Sequence, residues 1–299
     1  MPSPQSSPTK RLKSLWMLGG LSRWQLARNV FGEIRANNFL GRASELAFDF
    51  LFALFPMILL MLTLFGLIAS RSVELQNHLL SYFAYFLPPA AFELLRTTVG
   101  ELAANAGSKK LTFSIAFSLW FASGGVSSMI SALNLAYRVR EGRSWLKVRT
   151  IALGLTLLLS ILLFSALFLV LVSSDVVDWL GAVLRLQPTV IFIWKIIQWP
   201  AAILFVVVSY AIIYYCGPNL KERHWHWITP GSAFGASLWF VASIGFRVYL
   251  HFLNMYSASY GSLGAVMILM AWLWVSGLAF LIGGAINAEI ERSAAQSLV

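Results

Sequence analysis

The sequence predicts an all-α, polytopic membrane protein with six transmembrane helices, on three observations: long charge-free runs, a low overall charge content, and uneven placement of the basic residues. Val248–Ala288 runs 41 residues without Asp, Glu, Lys or Arg, and Thr112–Ala136 and Thr150–Ser173 are charge-free as well. A helix needs about 20 apolar residues to cross a bilayer. Of the 299 residues, 59% are hydrophobic and 11% charged, with mean hydropathy +0.74. A soluble domain carries about 25% charged residues. In lipid the backbone must satisfy its own hydrogen bonds, so runs this long are helices, not barrel strands.

Taken in order, residues 1–14 are polar and Pro/Ser-rich and read as a disordered cytoplasmic tail. The first long apolar run begins near Ala47, too far in for a signal peptide, so the N-terminus is expected to be retained. Residues 15–292 form one integral membrane domain, followed by a cytoplasmic tail over 293–299. Leu15–Phe39 interleaves Trp16, Leu21, Trp24, Val30, Phe31 and Ile34 with Arg23, Arg28 and Arg35, the pattern of an interfacial amphipathic helix on the inner leaflet. The six spans fall at about 47–70, 112–136, 150–173, 190–215, 231–253 and 262–288. The external segment 71–111, split by Pro88 and Pro89, is expected to carry two short helices.

Orientation follows from the basic residues. Fifteen of the 22 Lys and Arg fall in residues 1–46, 137–149, 216–230 and the C-terminal tail. The positive-inside rule therefore puts both termini in the cytoplasm. It also accounts for the net charge of +10 without a nucleic-acid partner.

Four connected blocks carry a resemblance. They are ASELAFDFLFALFPMILLMLTLFG, LWFASGGVSSMISALNLAYRVREGRSWLKVR, GPNLKERHWHWITPGSAFGASLWFVASIGFRVYL and YGSLGAVMILMAWLWVSGLAFLIGGAINAEIER. In order and spacing they resemble the YihY/BrkB family of bacterial inner-membrane proteins over residues 31–292. The resemblance implies six membrane helices with cytoplasmic termini in the bacterial inner (plasma) membrane. Its members have been labelled virulence factor and ribonuclease BN, the latter generally regarded as a misassignment. The resemblance implies no settled activity; transport across that membrane, with lipid or lipid-linked envelope material as a candidate cargo, is the favoured reading. One departure is visible: Ala47-Phe48-Asp49 stands where the family usually reads A-Y-Y, so an acid replaces an aromatic.

Polar groups inside lipid point to function by default. Glu45, Asp49, Asn134, Arg138, Arg140, Asn287 and Glu289 are expected to gather at the inner mouth of the bundle. They read as a substrate vestibule or proton-linked gate, or alternatively as structural ion pairs that snorkel to the interface. Ser123, Ser127 and Ser131 repeat at spacings of four along one helix face, beside Gly124, Gly125 and Ser128. They line a polar path, or they form a small-residue packing face. Gly231, Gly235, Gly277, Gly283 and Gly284 argue for tight packing in the last two spans. His224 and His226 lack a third convergent ligand, and Cys216 is the one cysteine, so no metal, disulfide or cofactor is expected.

Three classes are weighed. A transporter or translocator leads, with small-solute permease as its variant. A non-catalytic envelope scaffold working through 71–111 is next. An enzyme, ribonuclease included, finds neither a phosphate-binding loop nor a concentrated acid–base or metal set. Expected partners are membrane lipids, a lipid or small-molecule substrate, and a homodimer mate or envelope protein; no specific nucleic acid is expected.

Overall fold

A computed structural model describes residues 16–69, 109–171, 188–220, 228–252 and 255–296, together with residues 80, 93, 96, 97 and 100. Among the described residues there are seven α-helices and no strand. They are α1 (Arg23–Ala36), α2 (Phe39–Ala69), α3 (Lys109–Ala136), α4 (Trp145–Leu171), α5 (Pro188–Cys216), α6 (Pro230–Phe252) and α7 (Met255–Gln296). A 3-10 turn, Leu18–Gly20, precedes α1. The tail 1–14, most of the 71–111 segment in which two short helices are expected, and His224 and His226 lie outside the described residues.

Among the described residues, four helical segments are long and apolar enough to cross a membrane: Ile115–Ala136, Trp145–Ala166, Phe192–Cys216 and Val266–Gln296. α2 and α6 fall on the first and fifth expected spans. Most helices overrun the expected spans. α2 begins at Phe39 and α7 reaches Gln296, because each continues into a polar stretch where neighbouring helices, not lipid, cover it.

The six long helices pack in chain order, each on the next, and α7 returns to α2 to close a ring. α7 also touches α1, α3 and the 3-10 turn. The buried core lies where these elements meet. Phe39, Ala43 and Leu46 of α2, Ile130 and Leu133 of α3, Ile213 and Tyr214 of α5, and Phe280, Leu281, Ala285 and Ile290 of α7 are all nearly solvent-free.

Small residues set the closest approaches. A Cβ on Gly231 would collide with the Gly283 carbonyl oxygen, and one on Gly283 would lie 3.0 Å from the Gly235 Cα. The α6–α7 crossing therefore has backbone against backbone. Tyr214 reaches across from α5, and its hydroxyl donates to the Phe280 carbonyl at 2.6 Å.

The N-terminal segment docks on the end of α7. Gly19 has φ +62, and a Cβ there would meet the Ile290 carbonyl oxygen at 2.5 Å, so both conformation and space call for glycine. The Ser293 hydroxyl donates to the Gly19 carbonyl at 2.9 Å. Ser22 opens α1 with a capping box: Gln25 N–H donates to its hydroxyl at 3.2 Å, and Ser22 N–H donates to the Gln25 side chain at 2.9 Å. α1 buries only Val30 and Glu33, and leaves Trp24 and Phe31 exposed.

Candidate functional site

The site begins at a helix crossing. A Cβ on Gly125 of α3 would meet the Ala53 Cβ of α2 at 3.0 Å and the Phe50 ring at 3.5 Å. On the N-terminal side of Ala53 and the C-terminal side of Gly125 lies a groove of about 450 Å³. Arg42, Glu45, Leu46 and Asp49 line it from α2. Ser127, Ser128, Ser131, Ala132 and Leu135 line it from α3, and Val139 closes one end. The i, i+4 spacing puts Glu45 and Asp49 on one face, and Ser127 and Ser131 on the opposing one.

The groove residues differ in how they are satisfied. Arg42 holds Glu45 at 2.7 Å, with both side chains about half exposed. Asp49 has no hydrogen bond or ion pair among the described residues. The Ser127 hydroxyl donates to the Ser123 carbonyl at 3.0 Å, so its oxygen is left as an acceptor; the Arg149 guanidinium approaches that oxygen at 3.5 Å. Ser123 is fully buried and donates to the Trp120 carbonyl at 2.7 Å. Of the serine face, then, Ser127 and Ser131 reach the groove and Ser123 turns into the packing.

The other expected site residues fall into three separate networks. Asn134, buried in α3, donates to Glu141 at 2.8 Å and accepts from the Asn219 N–H at 2.7 Å. Arg140 joins this latch through its carbonyl, which accepts from the Asn219 side chain at 3.1 Å. Arg143 completes it, donating to Glu141 at 2.6 Å and to the Gly217 carbonyl at 2.8 Å. Those Arg143 hydrogen bonds hold the Glu141 carboxyl down at about 2, against 4.5 for an ordinary glutamate.

The second network centres on Glu33, a residue the sequence reading passed over. It is almost fully buried and pairs with Arg138, with Arg292 at 3.7 Å, and with Asn37 at 2.5 Å. Glu289 extends the network, pairing with Arg292 at 2.5 Å and accepting from Asn29 at 3.3 Å. In the third, Asn287 accepts from the Gly231 N–H at 2.8 Å and donates to the Thr229 hydroxyl at 2.9 Å, tying the start of α6 to α7.

Glu33, Arg42, Glu141 and Asn219 thus join the residues named from sequence. Glu33 and Asn37, four apart on a short helix, were the readable signal for the second network. The others depend on which loops meet, which spacing does not encode. Among the described residues, no group of three or more His, Cys, Asp or Glu could hold a metal ion.

Comparison with known proteins places this arrangement. The profile of the family described as Virulence factor BrkB matches residues 30–298. A ribonuclease-like protein, YfkH, of Bacillus subtilis is 28% identical over 269 residues, covering 89% of this chain and 94% of that one. A UPF0761 membrane protein of Photobacterium profundum is 30% identical over 254 residues, covering 83% and 75%. A UPF0761 membrane protein of Aeromonas salmonicida is 25% identical over 288 residues, covering 91% and 92%. No solved structure matches the chain.

Proposed function

The chain is a membrane protein of the Virulence factor BrkB family, and on that footing we propose that it translocates a lipid or lipid-linked envelope component across the bacterial inner membrane. In this reading α2 and α6 complete six crossings, both termini are cytoplasmic, α1 lies on the inner leaflet, and the chain is not an enzyme. The observation that carries it is the groove between α2 and α3. Acidic and hydroxyl groups face each other there within helices that are otherwise apolar. Holding polar side chains at such a place is unfavourable unless something uses them. Basic residues at the ends of the helices support the orientation.

The test is reconstitution of the purified protein into vesicles carrying fluorescent lipids, with an impermeant quencher reporting on the outer leaflet. Translocation predicts quenching beyond that of protein-free vesicles, with a marked loss in Asp49→Asn. Uptake of a soluble solute without lipid movement would instead establish a permease. Absence of both, with capture of an envelope protein through 71–111, would establish a scaffold. The name of the Bacillus relative makes hydrolysis a rival worth the same preparation: RNA incubated with the purified protein is expected to remain intact, and specific cleavage would sink the non-enzymatic reading.

A further inference from the structure

We propose that the groove selects its ligand by a positively charged ammonium group, held against Asp49 and the hydroxyl oxygens of Ser127 and Ser131; the inference rests on the translocator reading for its setting. Three observations carry it.

The first is charge. Arg42 is committed to Glu45 at 2.7 Å, so those two cancel. Asp49 alone remains, with no partner among the described residues, and the groove lining has a net charge of −1; the nearest further cation, Arg149, stands outside the lining and is engaged by the Trp120 carbonyl and ring. This stands out on a chain of net charge +10. A phosphate or carboxylate in the groove would meet like charge, whereas a cation would supply the missing partner.

The second is hydrogen-bond polarity. The Ser127 proton is already directed to the Ser123 carbonyl, at 3.0 Å. What Ser127 offers the groove is therefore an acceptor oxygen, on which the Arg149 guanidinium makes only a long 3.5 Å contact while it is held by the Trp120 carbonyl and ring. Ser131, one turn away on the same face, stands beside it. An ammonium has three donors and no acceptor, so it matches one carboxylate and two hydroxyl oxygens.

The third is the setting. Phe48 and Phe52 flank the acids of α2, are 55% and 64% exposed, and pack against each other at a tilt with ring centroids 4.7 Å apart. They place apolar surface next to Asp49, as an amphiphile would need. The ammonium can come from a lipid headgroup or from a free amine, and the experiment separates the two.

Full-length protein, stripped of co-purified lipid in detergent, is offered equal amounts of phosphatidylethanolamine and phosphatidylglycerol and read by native mass spectrometry. The amine lipid is expected to be retained about tenfold over the glycerol lipid, the scale of one charge-assisted hydrogen-bonded contact. Asp49→Asn should bring that ratio close to one. N-acetylated phosphatidylethanolamine, which keeps the headgroup but loses the charge, should fall to the level of phosphatidylglycerol; this arm stands even if Asp49→Asn does not fold. Competition by millimolar-range free ethanolamine would assign the site to a soluble amine, and no competition would assign it to a lipid. Equal retention of both lipids by the wild type, or a preference that survives in folded Asp49→Asn, overturns the proposal. Headgroup selection without translocation would keep the ammonium site and remove the translocator reading. Translocation indifferent to the amine and to Asp49 would do the reverse.

Discussion

Arg138 has φ +53, a left-handed conformation usually left to glycine. Its N–H donates to the Leu135 carbonyl and that of Val139 to the Asn134 carbonyl, both at 2.9 Å, the two bonds of a Schellman motif ending α3. Arginine is kept there because its guanidinium pairs with buried Glu33. Arg138→Ala would lose the pair and keep the strain, whereas Arg138→Gly would lose the pair and relieve the strain. The glycine variant should therefore be the more stable of the two by about 1 kcal/mol, readable as a difference in thermal midpoint in detergent. Nothing in the local sequence marks position 138 as a helix cap, since the usual glycine is absent; the pairing with Glu33, 105 positions away, explains the choice. Glu141 makes a different kind of claim. Its carboxyl titrates at about 2 when folded and at 4.5 when free, so its contribution is complete above pH of about 4.5 and is lost as pH falls towards 2. Glu141→Gln should be less stable than the wild type near neutral pH, by no more than about 1 kcal/mol because the pair is partly solvated. The gap should close on acidification, and a gap that widened would show that Arg143 does not hold the carboxylate.

At the scale of elements, the charge-free runs read directly as helices because lipid admits only helices and closed barrels, and these runs are too long for barrel strands. The helix ends were not legible. α2 starts eight residues ahead of the expected Ala47, through Arg42 and Glu45, since packing of Ala43 and Leu46 against α7 stabilises a turn that hydropathy alone would stop short of. The glycines of the last two spans were legible as packing residues, but their mates were not. Gly231 meets Gly283, and Asn287 ties the same junction by accepting from the Gly231 N–H. Two substitutions separate this crossing from ordinary helix propensity. Gly231→Ala adds a methyl where the Gly283 carbonyl oxygen already stands, and should destabilise by about 1–3 kcal/mol through overpacking. Gly124→Ala has nothing within 4 Å of the new atom and should be neutral, or stabilising by up to about 1 kcal/mol. Thermal unfolding of the two variants side by side checks both, and equal behaviour would deny that α6 and α7 cross so closely.

For the whole molecule, helices consecutive in the chain lie side by side, as sequence neighbours commonly do, and the link of α7 back to α2 completes the ring. What the sequence could not supply was the division of its polar residues. A single inner cluster is the natural expectation for Glu45, Asp49, Asn134, Arg138, Arg140, Asn287 and Glu289, because all lie near the ends of spans that the positive-inside rule assigns to one side. Depth along the membrane is readable from span position, but rotation about each helix axis decides which neighbour a side chain meets. That rotation sends Glu45 and Asp49 to α3, Asn134 to the Asn219 latch, and Asn287 to α6, while Arg140, past the end of α3, meets the latch through its carbonyl. Orientation is where sequence and proposal meet most directly. The connection 137–149 holds five basic residues, while Lys109 and Lys110 stand on the opposite side of the same helix and run against the rule. A cysteine at Ser144 and one at Ser108, each in a Cys216→Ala background, decide between them. If both termini are cytoplasmic, an impermeant thiol reagent added to intact spheroplasts should label Ser108→Cys, and should label Ser144→Cys only after permeabilisation. The reverse pattern would place the groove at the outer leaflet. Its ligand would then have to be one available there, and import or retrieval, not export, would be the direction to test.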